Sequence, residues 1–375
     1  MISIALRSLF HERGKFIAAL AGVAFATSLV LAQTGLFVGF RQMATAVISR
    51  VGGDVWVMSK GTKLLDFSDP LSAGIRSTVA AHNCVENARG LIFGWTSIRT
   101  PSGGSENCQV IGFEPNNRLG EMPWSLASGL PSDLHAPMRV AIDAGELRRF
   151  ELPDSPVGRG IQIGGRDAYI AALTQGMRSF TVVPYVFAEA ATAQRILGWG
   201  NDQMSYWALD LKNRACATDV ISSIDRHPDL QAVTNDQFRK MTADYWVVGS
   251  GAGATLAFSA LLGLVVGTFI VGQTLYSTTE NHIRELATLK AIGASNMELV
   301  RFVAWQAGFL AVIGGAIGLL LAMTMRSGLA MIGLTMSLSA SVLTVGTASV
   351  AFMCAVAGYV SMRKVLNVEA SKVFV

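Results

Sequence analysis

The chain has 375 residues, 51% of them hydrophobic and 15% charged, with a formal net charge of +4. That balance excludes an ordinary soluble domain. Arg41 to Trp246 holds 20 of the 30 basic and 21 of the 26 acidic residues, so the positive excess belongs to the apolar flanks and offers nucleic acid no basic face.

A bilayer core of ~30 Å takes about 20 helical residues at ~1.5 Å each. It contains no water to satisfy backbone groups, so apolar runs of that length are read as helices. Residues 1–15, with Arg7, Arg13 and Lys15, form a short N-terminal segment ahead of the first such run, Phe16–Phe40. A cleaved signal peptide is the alternative. Its apolar core would be about 7–15 residues, and the small pair Ala24/Ala26 lies in the middle of this longer run, so an uncleaved anchor is expected.

Residues 41–246 read as a mixed α/β domain in two lobes on a helical stalk. Phe40–Arg50 continues the first helix beyond the bilayer. Asp54–Met58 alternates like a strand. Leu91–Thr100 and Gln109–Phe113 form a hairpin around Pro101-Ser102-Gly103-Gly104-Ser105, and Ile161–Ile163 pairs with Ala168–Leu173 across Gly164–Asp167. Ala81–Pro184 is the strand-rich lobe. A strand at Ser205–Leu211, a helix at Thr218–Arg226, a strand at Leu230–Thr234 and a helix at Asp236–Asp244 make a small split α/β unit. Asp143 is placed as the cap of a helix at Ala144–Phe150. Trp56, Trp95, Trp124, Trp199 and Trp207 are mostly core residues by their apolar area, with a cargo or adaptor surface as the alternative. Cys84 and Cys108 are a candidate disulfide, free buried thiols being the other reading; neither they nor the histidines have metal-ligand spacing. Tyr245-Trp246 marks the return to the headgroup region.

The second span is Val247–Tyr276, the third Phe302–Met325 and the fourth Val342–Met362, with 326–341 as a short external loop around Arg326 and 363–375 as a tail. The pairs Gly35/Gly39, Gly263/Gly267 and Gly314/Gly318 have the four-residue spacing that lets helices approach closely in lipid. Between spans two and three lies a charged segment, 277–301. Ile283, Leu286, Leu289 and Ile292 form an apolar row, Glu280 and Arg284 an i,i+4 ion pair, and Gly293 a helix stop; Ser295-Asn296-Met297-Glu298 is a capping box that starts the next helix.

Short-loop basic residues orient the chain. Arg7, Arg13 and Lys15, then Arg284, Lys290 and Arg301, then Arg363, Lys364 and Lys372 fall on one side, against Arg326 alone on the other. Both termini and the charged segment are therefore cytoplasmic, and the large domain is outside. The fold class is an α-helical membrane protein with four transmembrane helices and a large extracytoplasmic α/β domain inserted between helices 1 and 2. No phosphate loop occurs: the one Gly-Lys pair, Gly14-Lys15, precedes Phe16. No acidic or basic residue lies in the core of a span, as an ion-coupled carrier would need. No Gly-x-Ser-x-Gly elbow suggests an enzyme.

The run Glu285-Leu286-Ala287-Thr288-Leu289-Lys290-Ala291-Ile292-Gly293-Ala294 resembles the coupling-helix signature of FtsX/MacB-type ABC transporter permeases. Met1–Arg7, Gly53–Thr62, Val110–Phe113 and Gly176–Phe180 resemble the DevC-type subgroup over essentially the full length. The resemblance implies a homodimeric, non-catalytic permease of the bacterial inner membrane that exports a lipid-like or hydrophobic cargo. It binds no cofactor itself; ATP-Mg sits on a separate ABC ATPase subunit that grips the segment from Glu280 to Gly293. A membrane-fusion adaptor and an outer-membrane channel are the implied partners. The alternative is an FtsX-like regulator that activates an outside partner without transport.

Overall fold

The computed structural model describes residues 13–72, 74–114, 124–176, 183–281, 295–331 and 334–366. The chain divides into two compact units, Arg41–Ser250 on one side and Met1–Phe40 with Gly251–Val375 on the other.

In the membrane unit, four helices are long and apolar enough to cross a bilayer. They are α1 (Arg13–Ala44), α7 (Ala252–Asn281), α8 (Asn296–Met331) and α9 (Ala340–Leu366). α1 lies against each of the other three: Gly22 packs on Ile270 of α7, Gly314 of α8 on Val23, and Gly346 of α9 on Leu31. Ala19, Val23, Val271, Leu275, Leu310, Val350 and Met353 fill the centre. Where the sequence suggested an external loop at 326–341, α8 continues past Arg326 to Met331. The coil around Met336 then folds against α1, with the Ser337 N–H donating to the Gly35 carbonyl at 3.0 Å.

The second span begins later than its hydropathy implies. Val247–Gly249 belongs to a π-helical turn, Tyr245–Gly249, and Gly251 takes φ +74° before α7 starts at Ala252. A glycine in that region breaks the helix without the strain a side chain would bring. The first connection is smoother. α1 ends at Ala44, Thr45 interrupts the ladder, and α2 runs Ala46–Val51.

The α/β unit is built on one ten-stranded sheet. Its strands are β1 (Val55–Ser59), β2 (Val85–Arg99), β3 (Ser105–Phe113), β4 (Leu126–Ser128), β5 (Arg139–Asp143), β6 (Gly160–Ile163), β7 (Arg166–Thr174), β8 (Tyr185–Glu189), β9 (Tyr206–Leu211) and β10 (Leu230–Thr234). The order is β10-β1-β9-β2-β3-β8-β5-β7-β4, and β6 pairs with both β2 and β7. The pairings from β2 through β3, β8, β5, β7 and β6 therefore return to β2. The strand-rich middle of the chain forms this ring, and β1, β9 and β10 form the other half. The sheet does not divide between two lobes, because the long strand β2 serves both: Val85–Leu91 pairs with β9 and Leu91–Arg99 with β3.

Helices α3 (Ile75–Ala80), α4 (Ala190–Leu197) and α5 (Ala217–Ile224) accompany one core, in which Val79, Ala193, Ile196, Val220 and Ile224 are buried. On the second core, α2 contributes Val47, Ile48 and Val51, and α6 (Asn235–Asp244) contributes Phe238. Trp56, Trp124 and Trp207 are buried, Trp199 is half-buried and Trp95 is exposed. Asp143 caps a single 3₁₀ turn, Ala144–Glu146, by accepting from the Gly145 N–H at 2.9 Å; it does not start a longer helix.

The disulfide joins Cys84 to Cys216, and Cys108 is a free, buried thiol. The candidate Cys84–Cys108 bond is not formed and the free-thiol reading holds for Cys108 alone, because β2 pairs with β9 (Val85 opposite Leu211), which draws Cys84 beside the turn carrying Cys216. Cys108 sits inside β3, fully buried. Disulfides persist in oxidising compartments, in keeping with an outside domain. Maleimide labelling of the unfolded, unreduced chain is expected to modify two of the four cysteines, and labelling after reduction all four; four without reduction would remove the bond.

Candidate functional site

Of the residues the sequence placed in the cytoplasmic coupling segment, Ile283, Arg284, Glu285, Leu286, Leu289, Lys290, Ala291, Ile292 and Gly293 lie outside the described residues, as do Met1–Arg7 and Met177–Phe180. Their flanks are described. Glu280 is exposed on the last turn of α7. Ser295 and Glu298 form a reciprocal cap on α8: the Ser295 N–H donates to Glu298 Oε2 at 2.8 Å, and the Glu298 N–H donates to Ser295 Oγ at 3.3 Å. The Ser295 N–H holds the Glu298 carboxyl below its usual range. The charged segment thus runs from the end of one long helix to a firmly capped start of the next.

The paired glycines sit at close approaches within the membrane unit. A Cβ on Gly263 would run into Leu29, and one on Gly267 into Ala26. On α8, a Cβ at Gly314 would meet Val23 at 2.6 Å. At Gly318 it would meet Thr27 Cβ at 2.5 Å and the Ala24 carbonyl at 2.7 Å. Gly35 and Gly39 face the coil between α8 and α9: a Cβ on Gly35 would lie 2.9 Å from the Ser337 carbonyl, and one on Gly39 would overlap the Thr335 carbonyl.

A dense polar assembly lies where both helical connections meet the sheet. α2 ends at Gly52 and Gly53, at φ +73° and +85°, which turn the chain into β1. A helix C-terminus leaves carbonyls without intrahelical partners, and here side chains take them. Arg89 of β2 donates from Nη1 to the Val51 carbonyl at 2.7 Å and from Nη2 to Asp210 at 2.6 Å. The Trp56 indole donates to the Gly52 carbonyl at 2.9 Å. Asn235, the first residue of α6, donates from Nδ2 to the same carbonyl at 3.1 Å. A cation at a helix C-terminus also complements the helix dipole.

The return helix is fixed just as tightly. Thr234 and Gln237 make a reciprocal cap at the start of α6. The Asn235 N–H donates to the Asp54 carbonyl at 3.0 Å, and the Asp54 carboxylate accepts from the Leu211 N–H at 3.0 Å and from Arg214 Nε at 2.8 Å. Trp56 packs between Tyr206 and Phe238, with ring centroids 5.9 and 5.3 Å away. One aromatic side chain therefore touches β9, α6 and the end of α2.

This arrangement ties both helices to β1, β2 and β9 through short bonds. Among the described residues no group of three or more His, Cys, Asp or Glu side chains could hold a metal ion. Sequence reasoning missed Arg89, Asn235 and the junction role of Trp56. The Gly52-Gly53 pair and the Thr234-x-x-Gln237 spacing were the available signals; for Arg89 there was none, since its partners are set by strand register.

Comparison with known proteins agrees over nearly the whole chain. Residues 16–227 match the model of the MacB-like periplasmic core domain, and residues 257–370 that of the FtsX-like permease C-terminal region. An uncharacterized ABC transporter permease of Mycobacterium tuberculosis (strain ATCC 25618 / H37Rv) is 26% identical over 330 residues, covering 86% of each chain. A second from the same strain is 22% identical over 385 residues, covering 100% of this chain and 99% of its own. Among solved structures, the periplasmic region of MacB from Actinobacillus actinomycetemcomitans aligns with TM-score 0.39 and 9% identity, covering 50% of this chain and 91% of that one. The extracellular domain of the ABC-type transporter YknZ from Gram-positive bacteria aligns at 0.36 and 11%, covering 48% and 98%.

Proposed function

The chain belongs to the FtsX/MacB family of ABC transporter permeases, a multi-pass inner-membrane subunit, and on that premise we propose that it is the permease of an exporter of the DevC type. A separate ATPase subunit carrying ATP-Mg grips the cytoplasmic segment between Glu280 and Gly293. Its closure moves α7 and α8, and the movement reaches the periplasmic sheet through the two helical connections. Two copies of the chain work as a homodimer with a membrane-fusion adaptor and an outer-membrane channel. The periplasmic domain expels a lipid-like or hydrophobic cargo, and the cargo does not pass through the centre of the spans. Residues 1–15 and 363–375 are cytoplasmic, as are 277–301.

The junction of α2 and α6 with the sheet supports this reading most directly. Arg89 of β2, Trp56 of β1 and Asn235 of α6 gather both connections at one place on the sheet, an arrangement suited to passing movement. The test is association with the partner ATPase. Leu286→Asp with Ile292→Asp places two carboxylates in the apolar row, and is expected to weaken association at least about a hundredfold and to abolish stimulation of ATP hydrolysis. Co-purification and stimulation equal to wild type would remove the grip, and with it the exporter reading.

A further inference from the structure

Residues 60–72 form a strap in which Leu65 is buried in the second core, Leu71 in the first, and Leu64 is also buried. The strap is bound to the sheet at several points. The Trp95 indole of β2 donates to the Asp66 carbonyl at 3.0 Å, Tyr206 Oη of β9 donates to the Leu65 carbonyl at 2.7 Å, and Leu71 forms a backbone bridge with Met204. In the middle of the strap lies Asp66, 4% exposed. One carboxylate oxygen accepts from Gln109 Nε2 of β3 at 3.1 Å; the other accepts from the Trp246 indole at 3.1 Å.

Two features of this group stand out physically. Among the described residues no cation pairs with Asp66; its charge is met by neutral N–H donors, and the titratable side chain facing it is Tyr206. Burial pushes its carboxyl above the usual range, the bonds from Trp246 and Gln109 pulling it part of the way back. A buried carboxylate without a counter-ion costs stability, so packing alone gives no reason to have one here. The second feature is its partner. Trp246 lies in the π-helical turn Tyr245–Gly249, three residues ahead of the Gly249-Ser250-Gly251 break. π-turns are rare and gather at functional sites.

We propose that Asp66 is a positioning residue for force transmission: by holding Trp246 it fixes the π-turn to the sheet and confines bending between the sheet and the second span to Ser250 and Gly251. The turn then moves with β2, β3 and β9 as one body. Without the bond the turn loosens, and bending spreads through Tyr245–Gly249 before any movement of α7 reaches a strand. This rests on the exporter reading for its consequence but not for its geometry.

The test uses the full chain in lipid nanodiscs with its partner ATPase, and follows backbone hydrogen exchange with and without a non-hydrolysable ATP analogue. Asp66→Ala and Trp246→Phe each remove the bond. Trp246→Phe keeps the carboxylate and most of the ring volume, so it carries the test if Asp66→Ala does not fold. Asp66→Asn keeps an acceptor oxygen for Trp246. Both removing variants are expected to speed exchange at 245–250 about tenfold, leaving 235–244 unchanged. They are also expected to cut the nucleotide-driven change at 91–99 and 105–113 at least about threefold. Asp66→Asn should restore most of both. Unchanged protection at 245–250 in the removing variants, or Asp66→Asn behaving like Asp66→Ala, overturns the proposal. If the local exchange responds as expected but the wild-type sheet shows no nucleotide-driven change, the exporter reading fails and the clasp stands.

Discussion

Trp56→Ala is expected to lower the unfolding free energy of the extracytoplasmic domain by about 4 kcal/mol, the middle of the range for deleting a buried large aromatic. Trp56 is fully buried between Tyr206 and Phe238, and its indole takes the Gly52 carbonyl. The substitution therefore opens a cavity at the meeting point of β9, α6 and the end of α2, and removes one of the two side-chain donors to the Gly52 carbonyl. Trp56→Phe fills most of the space and loses mainly the hydrogen bond, so a cost of about 1–2 kcal/mol is expected. Cys108 provides the measurement. It is fully buried in β3, and burial pushes its thiol up to about 12, so it reacts with a thiol reagent only when the domain opens. In a Cys354→Ala background its labelling rate should rise about a thousandfold in Trp56→Ala, since ~1.4 kcal/mol corresponds to a factor of ten. A rise of less than about tenfold would mean that the junction is not a cooperative part of the domain.

Much of the fold is legible in the sequence because its causes are local. The hairpin of β2 and β3 follows from alternating apolar residues on either side of Pro101–Ser105. β10 at Leu230–Thr234 and the flanking α5 and α6 follow from a change of period from two to between three and four. The spans follow from hydropathy, which needs no tertiary information. What failed depends on partners distant in sequence. The Cys84–Cys216 bond exists because β2 lies beside β9, and 132 residues separate the two cysteines. Arg89 precedes the strand expected from Leu91 to Thr100; the register of β2 brings it to Asp210 and to the end of α2. Hydropathy also misled directly at Val247–Gly251. Val, Val and Gly extend an apolar run without a seam, yet Gly249-Ser250-Gly251 is weak helix-forming chain, and the helix starts after it. Asp66 carries no local signal in the sequence, because its burial arises from the strap folding onto Gln109 and Trp246.

The membrane unit gives the second large expected effect. Gly318→Ile, in the full chain purified in mild detergent, should destabilise the helix bundle by about 3 kcal/mol or more, and Gly308→Ile by less than about 0.5 kcal/mol. The contrast isolates packing from composition, since both changes add the same side chain to the same helix. At Gly308 an added Cβ meets nothing within 4 Å, whereas at Gly318 it meets Thr27 Cβ at 2.5 Å and the Ala24 backbone carbonyl at 2.7 Å. A carbonyl in a helix cannot rotate away as a side chain can, so α8 must back off α1. Lipid gives helices no hydrophobic reason to associate, so the packing lost on separation is not recovered elsewhere. Loss of the folded fraction on heating, followed by retention on a sizing column, measures the effect. The consequence reaches beyond stability because α1 packs on α7, α8 and α9. A helix in that position can move in response to any of the three, provided it stays close to each. Equal melting of Gly318→Ile and Gly308→Ile would show that α1 is not held at the glycine faces.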